Sequence, residues 1–377
     1  MITRIVSQKL QNSLYKNKVV LLIGARQTGK STLLKKIISQ NTNGLWLNGD
    51  EYDIQELFKN ATSVKLKTII GNHKLVVIDE AQRIDNIGLC IKLIHDTYPD
   101  IQLIATGSSA FDLKNKTNEP LTGRKIEFQL FPFSFEELSN HESILTEKRN
   151  LTKRLVYGSY PDVINNSDEE IDVLKLLSDS YLFKDVLMLD AVKKPEKLVK
   201  LLQALAFQIG SEVSYNEIGN LIGLDSKTVE NYINLLEKSF VIFKLNSFNK
   251  NLRNELKLSK KVYFYDNGIR NAIINNFQFA ETRQDIGALF ENYLISERMK
   301  YNAYHRNYVN TYFWRTKDQQ EIDYIEEKDG ILYAFEFKWS ETKKVKFSKT
   351  FTNAYPDSSF AIISKDNYDN FLCSDAR

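Results

Sequence analysis

Cysteine is nearly absent: Cys90 and Cys373 are the two in 377 residues. That number is too small for a disulfide framework or a thiolate-ligated zinc site. The four histidines are scattered along the chain, which argues against a His-rich metal site. Long apolar runs are missing as well. The longest, Val19–Ile23 and Leu75–Ile78, are of strand length, far short of the roughly 20 residues a membrane span needs. The opening MITRIVSQKLQN has no apolar core of a secretory signal, so the expectation is a soluble, cytoplasmic chain with no membrane partner. A strong charge of either sign is lacking too, with 51 Lys and Arg against 48 Asp and Glu and a net charge of +3. A nucleic-acid partner would therefore need basic residues that are locally concentrated, because the field of the whole chain is weak. Neither an internal repeat nor a low-complexity linker is visible. What remains is an ordinary globular composition, 42% hydrophobic and 26% charged. At about 150 residues per domain the length suits two to four domains.

Residues 18–23, KVVLLI, read as a buried strand bounded by glycine. Gly24, Ala25, Arg26, Gln27, Thr28, Gly29, Lys30 and Ser31 follow, and Thr32 opens a segment of helical apolar spacing. Strand, G-x-x-x-x-G-K-S, helix is the setting a phosphate-binding loop requires. The two glycines let successive N–H groups converge on phosphate oxygens, and the following helix adds its positive end. Lys30 would reach the β- and γ-phosphates of a nucleotide and the Ser31 hydroxyl would ligate Mg²⁺. The second half of such a site is an apolar strand ending in a carboxylate, and Leu75–Ile78 followed by Asp79 and Glu80 supplies it. Asp79 would place Mg²⁺ and Glu80 would act as general base on the attacking water. By itself an Asp-Glu pair after a strand is equally a helix N-terminal charge pair.

A third apolar strand, Ile101–Ala105, ends in Thr106, Gly107 and Ser108. Ser108 either senses the γ-phosphate or caps the next helix. Arg124, ahead of the strand-like Lys125–Leu130, is either a surface arginine or a finger that stabilises transition-state charge in a neighbouring subunit's site. The order of phosphate loop, IDEAQ, ATGSS and GR before a final strand resembles AAA+ ATPases. More narrowly, GARQTGKST, LVVIDEAQ, LTGRKIEF, FPFSFEEL and YGSYPDVI resemble a prokaryotic AAA+ subgroup. In that subgroup a helical region and a C-terminal domain with a nuclease-like core follow the ATPase. The resemblance covers nearly the whole chain and implies ATP, rather than another nucleotide, as ligand.

From Phe135 to about Asp190 the pattern turns helical around Gly158 and Pro161, as expected of the lid that closes over nucleotide in AAA+ proteins. Arg154 is a guess for a nucleotide-sensing lid residue. Ser214 through Ile222 reads as a short helix with a Ser214–Glu217 capping box, Gly223–Asp225 as a turn, and a second helix, capped by Ser226, runs to about Lys238. Helix, turn, helix followed by strands at Val241–Leu245 and Val262–Tyr265 is a winged-helix plan. Lys244, Lys250, Arg253, Lys257, Lys260 and Lys261 stand there against Glu255 alone. Such a wing either contacts DNA phosphates or is a solvated hairpin on a module reused for protein contacts. The recognition helix, with Lys227, Thr228, Glu230, Asn231 and Asn234, is mixed rather than basic.

In the last quarter a helix carries Glu291, and two strands bring Asp323 and then Glu336-x-Lys338. Strand alternation puts Glu336 and Lys338 on one side. The constellation resembles the PD-(D/E)xK nuclease core of archaeal Holliday-junction resolvases. That resemblance implies a second Mg²⁺ or Mn²⁺ on Asp323 and Glu336, with Glu291 completing the site and Lys338 positioning water. Cleavage does not follow from the fold, which is also kept for binding alone. The expected molecule is thus α/β. It has an AAA+ P-loop core with a parallel sheet at residues 1–130, a helical lid at 131–192, a winged helix at 193–275 and a nuclease-like domain at 276–377. Its expected function is Mg²⁺-dependent ATP hydrolysis coupled to a DNA-binding, nuclease-like module. The alternative is a nucleotide-dependent switch that binds protein partners through an inactive nuclease-like domain. A homo-oligomer fits either reading.

Overall fold

The computed structural model describes residues 1–40, 43–108, 117, 120–181, 192–249, 260–340 and 347–374. They form two compact units, Met1–Pro132 with Lys238–Phe240, and Phe133–Glu237 with Val241–Arg377. Among the described residues no helix is long and apolar enough to cross a membrane.

The first unit is built on five strands, β1 (Val19–Ile23), β2 (Gly44–Asn48), β3 (Leu75–Asp79), β4 (Gln102–Gly107) and β5 (Lys125–Gln129). They lie in the order β2-β3-β4-β1-β5, and every pairing is parallel. Such a sheet is covered on both faces. Accordingly every residue of β1, β3 and β4 is buried, and the three read as mostly apolar, β4 with the buried Gln102 at its start. Parallel strands also put their C-terminal ends at one edge, so the tips of β1, β3 and β4 converge there. The helix Lys30–Ser39 leaves that edge with Leu33, Leu34 and Ile37 buried.

The second unit begins with the helices expected to form a lid: Phe135–His141, Ile144–Arg149, Leu151–Tyr157, Pro161–Asn165 and Glu170–Tyr181. Residues 182–191 lie outside the described residues. The lid stretch is tied to residues far along the chain. The Asn271 amide donates to the carbonyls of Leu155, at 3.1 Å, and Val156, at 2.8 Å. The buried Asp266 carboxylate accepts from Ser159 N–H at 2.7 Å. Two departures from the expected capping appear. Asp225, not Ser226, caps the helix Ser226–Lys238, accepting from Thr228 N–H at 2.9 Å and from its hydroxyl at 2.6 Å. A reciprocal capping box forms at Ser134 and Glu137.

The remaining strands are β6 (Glu212–Val213), β7 (Ile242–Ser247), β8 (Lys260–Phe264), β9 (Asn310–Arg315), β10 (Glu321–Lys328), β11 (Ile331–Lys338) and β12 (Ser359–Ser364). They make one sheet in the order β12-β11-β10-β9-β7-β8-β6. The expected wing strands β7 and β8 are therefore continuous with the strands assigned to the C-terminal domain. Parallel pairing of Asn246 with Tyr312 and Ser247 with Phe313 joins them, so no sheet boundary falls at 275/276. The 20-residue helix Ile286–His305 is buried along most of its length, from Leu289 to Tyr304.

Candidate functional site

At the tip of β1 the chain turns through residues that only a close-packed loop tolerates. A Cβ on Gly24 would sit 2.1 Å from the Leu130 carbonyl oxygen, and Gly29 has φ of 92°. Gly29 is also the N-cap of the helix Lys30–Ser39 and supplies no side-chain cap, at the end of a helix whose N-terminus favours an anion. Within the loop Gln27 also has positive φ, 56°, and the buried Thr28 hydroxyl donates to the Ala25 carbonyl at 2.9 Å. Arg26 is half-buried, and Gln27 and Thr32 are exposed. The Lys30 ammonium folds back onto the carbonyls of Gly24, at 2.9 Å, and Ala25, at 2.8 Å.

The β3 tip stands two strands away, with β4 between. The Ser31 hydroxyl donates to Asp79 Oδ2 at 2.8 Å, and Thr106 at the β4 tip donates to Asp79 Oδ1 at 2.5 Å. Thr106 Oγ1 in turn accepts from Glu80 N–H at 3.0 Å. A hydroxyl, a carboxylate and an ammonium at a helix N-terminus are the group types that a Mg²⁺–nucleotide requires. The structure brings Ser31 and Asp79 into direct contact.

Glu80 adopts a left-handed backbone, with φ of 46°. Its Oε2 accepts from the Gln82 amide at 2.5 Å and from the Ser108 hydroxyl at 3.1 Å, and Gln82 also donates to Ser108 Oγ at 3.2 Å. Ser108 therefore reaches Glu80, and the helix it was expected to cap lies outside the described residues. Thr106 and Gln82 are site residues that pattern reading passed over. Their only signal was a hydroxyl and an amide at strand tips. Arg124 is not part of this constellation. Its carbonyl accepts from Val19 N–H at 2.8 Å, at the start of β1 and so at the opposite edge of the sheet. Its guanidinium pairs with Asp96 at 2.7 Å, and that bond, with a second from His95, holds the Asp96 carboxyl down to about 2.

In the second unit the four nuclease-like residues do gather, but not as a metal cage. Lys338 Nζ lies 2.8 Å from Glu336 and 3.8 Å from Asp323. Asp323 sits where the β9–β10 register shifts, and its Oδ2 accepts from Phe337 N–H at 2.7 Å. Glu291 Oε1 accepts from the Tyr263 hydroxyl at 2.6 Å and from Lys261 at 3.2 Å. Burial and the nearby Asp323 charge push the carboxyls of both Glu291 and Glu336 up to about 7. Among the described residues no group of three or more His, Cys, Asp or Glu is placed to hold a metal ion. The second Mg²⁺ or Mn²⁺ expected there thus finds no support among the described residues. Lys261, expected in a DNA-facing wing, is 2% exposed and points into this cluster. Lys244 is paired with Asn234 and Glu237, while Lys250, Arg253 and Lys257 lie outside the described residues. Arg154, the guessed sensor, is committed to a bidentate pair with Glu147 at 2.7 and 2.9 Å.

Comparison with known proteins matches three successive stretches of the chain. An AAA domain family matches residues 16–139, and two domains of unknown function, DUF8612 and DUF4143, match 148–280 and 286–371. An uncharacterised protein of Methanocaldococcus jannaschii is 22% identical over 94% of this chain and 82% of its own length. One of Haemophilus influenzae is 26% identical over 84% of this chain and 81% of its own. Among solved structures, the Walker-type ATPase PABY2304 of Pyrococcus abyssi aligns with a TM-score of 0.50 at 18% identity, covering 73% of this chain and 96% of that one. That likeness is one of fold. With the matching AAA domain it supports an AAA-like P-loop fold for the first unit.

Proposed function

We propose that the chain binds ATP with Mg²⁺ at residues 24–32 and hydrolyses it. The observation that carries this reading is the convergence of Lys30, Ser31, Asp79 and Glu80 at one sheet edge, with Asp79 fastened by two hydroxyls. On nucleotide binding Lys30 exchanges its two carbonyl partners for phosphate oxygens; Ser31 and Asp79 are the residues that would hold Mg²⁺, which would supply charge neutralisation at the phosphates. Glu80, oriented through Gln82 and Ser108, polarises the attacking water. Arg124, at the far edge, acts only in a neighbouring copy's site if it acts on nucleotide at all. Lys30→Ala should abolish ATP binding. Glu80→Gln should keep binding and lose turnover by roughly 10²-fold or more. Normal hydrolysis by Glu80→Gln would sink the base assignment.

The second unit is proposed as the module that responds to turnover. DNA contact rests on the helix-turn-helix plan and on the basic residues between Lys244 and Lys260. It predicts an affinity that falls steeply with salt, about one power of salt per phosphate neutralised, followed by fluorescence anisotropy on duplex and branched DNA. A second reading, a switch that binds protein through an inactive nuclease-like domain, is favoured by the lysine buried among the C-terminal carboxylates. Salt-independent or absent DNA binding would select it.

A further inference from the structure

Four carboxylates meet in the second unit: Glu291 from the helix Ile286–His305, Glu321 and Asp323 from β10, and Glu336 from β11. Two ammonium groups stand among them. Lys338 comes from β11 itself and pairs with Glu336 and Asp323. The other arrives from a different part of the sheet. Lys261 of β8 reaches across the Phe313 ring of β9, its ammonium 5.4 Å from the ring centre. It ends 3.2 Å from Glu291 and 2.5 Å from Glu321. Tyr263, two residues on and hence on the same side of β8, donates its hydroxyl to Glu291 at 2.6 Å.

Glu291, Asp323 and Glu336, the expected ligands, each already hold a protein donor. Glu291 has Lys261 and Tyr263, Asp323 has the Phe337 N–H, and Glu336 has Lys338. A divalent ion needs several oxygens converging on one point at about 2.0–2.6 Å. The described residues offer no such convergence. To create it, a 2% exposed ammonium would have to leave its partners with no solvent at hand, and an unpaired buried charge is strongly unfavourable. We infer that Lys261, held by Glu291 and Glu321, is a resident cation of this cluster beside Lys338, which holds Glu336 and Asp323, and that the two ammonium groups close the site to Mg²⁺ and Mn²⁺. The reading is independent of ATP hydrolysis at the first unit. It also assigns β8 a role apart from DNA: the strand carries a plug into the C-terminal carboxylates.

The test is Mn²⁺ binding by the full-length chain without nucleotide, read from the free-ion EPR signal. An Asp79→Asn background keeps the phosphate-loop site from contributing. The parent should bind no Mn²⁺ through the cluster at sub-millimolar concentrations. Lys261→Met, which keeps the side chain's bulk and removes its charge, should gain one site with an affinity about tenfold or more above the parent's. Asp323→Asn or Glu336→Gln added to it should remove that site, and Lys261→Arg should stay closed. Two results overturn the inference: parent binding that disappears in Glu336→Gln, or a folded Lys261→Met that gains no site. If Lys261→Met does not fold, the parent, compared with its Glu336→Gln variant, decides: binding lost with Glu336 refutes the closed site, and its absence alongside a closed Lys261→Arg upholds it.

Discussion

Glu80 shows how much of a site depends on neighbours that no motif names. Its Oε2 receives two donors, the Gln82 amide and the Ser108 hydroxyl, and these fix the direction in which the carboxylate faces. Hydrogen bonds hold a carboxylate in one orientation, and orientation governs how it meets an attacking water. Ser108→Ala and Gln82→Leu should each lower kcat by about tenfold with ATP affinity unchanged, as turnover and equilibrium binding measured side by side would show. A matching fall in affinity would assign these residues to nucleotide contact instead. Gly24, Gly29, Lys30, Ser31 and Asp79 were legible in the sequence because phosphate and metal chemistry fixes their spacing. Gln82 was not. Its amide meets Glu80 only because Glu80 takes φ of 46°, a left-handed turn that a glutamate does not announce.

Among the elements, the strands and helices that were foretold are present, β2 and β12 were not foretold, and further errors lie in what each element touches. The Lys261-Val-Tyr263 alternation in β8 signals that two polar groups share a side. It does not say that the side faces carboxylates on a helix and a strand that come 30 and more residues later. Asp225 displaced Ser226 as a cap because a carboxylate one position earlier accepts both the N–H and the hydroxyl of Thr228. The terminal helix Tyr368–Cys373 carries a measurable consequence. Burial, helped by the nearby charges of Glu136, Asp369 and Glu297, pushes the Cys373 thiol up to about 12. A raised thiol pKa keeps the proton on sulfur at neutral and mildly alkaline pH, so the folded chain presents little thiolate until the pH approaches that value. At pH 8 alkylation of folded Cys373 should be about a hundredfold slower than in the denatured chain. Its rate should still be climbing with pH above 9, where an ordinary thiol levels off. Mass spectrometry of iodoacetamide-treated protein across pH 7–10 would register a plateau near 8.5 if the burial argument fails.

For the molecule as a whole, the parallel sheet of the first unit could be read in advance, since β1, β3 and β4 are short, mainly apolar segments. The seven-stranded sheet could not. Pairing between β7 and β9 joins segments more than sixty residues apart, and two short strands carry no local mark of a partner so distant. The winged helix and the nuclease-like domain expected as separate modules therefore share one sheet. A chain ending at residue 275 should lose β9–β12 and leave the β7 edge unpaired, an invitation to intermolecular pairing. Size-exclusion chromatography should find that truncation associated or insoluble, whereas a monodisperse product would restore the module boundary. The joint itself is narrow: two residue pairs, with Phe248 N–H to the Phe313 carbonyl at 2.7 Å just beyond. Stiffness in a sheet comes from many bonds sharing a load, so shear applied across these seven strands concentrates on that short seam. The three strands on one side and the four on the other then behave as two plates sewn together by a few stitches.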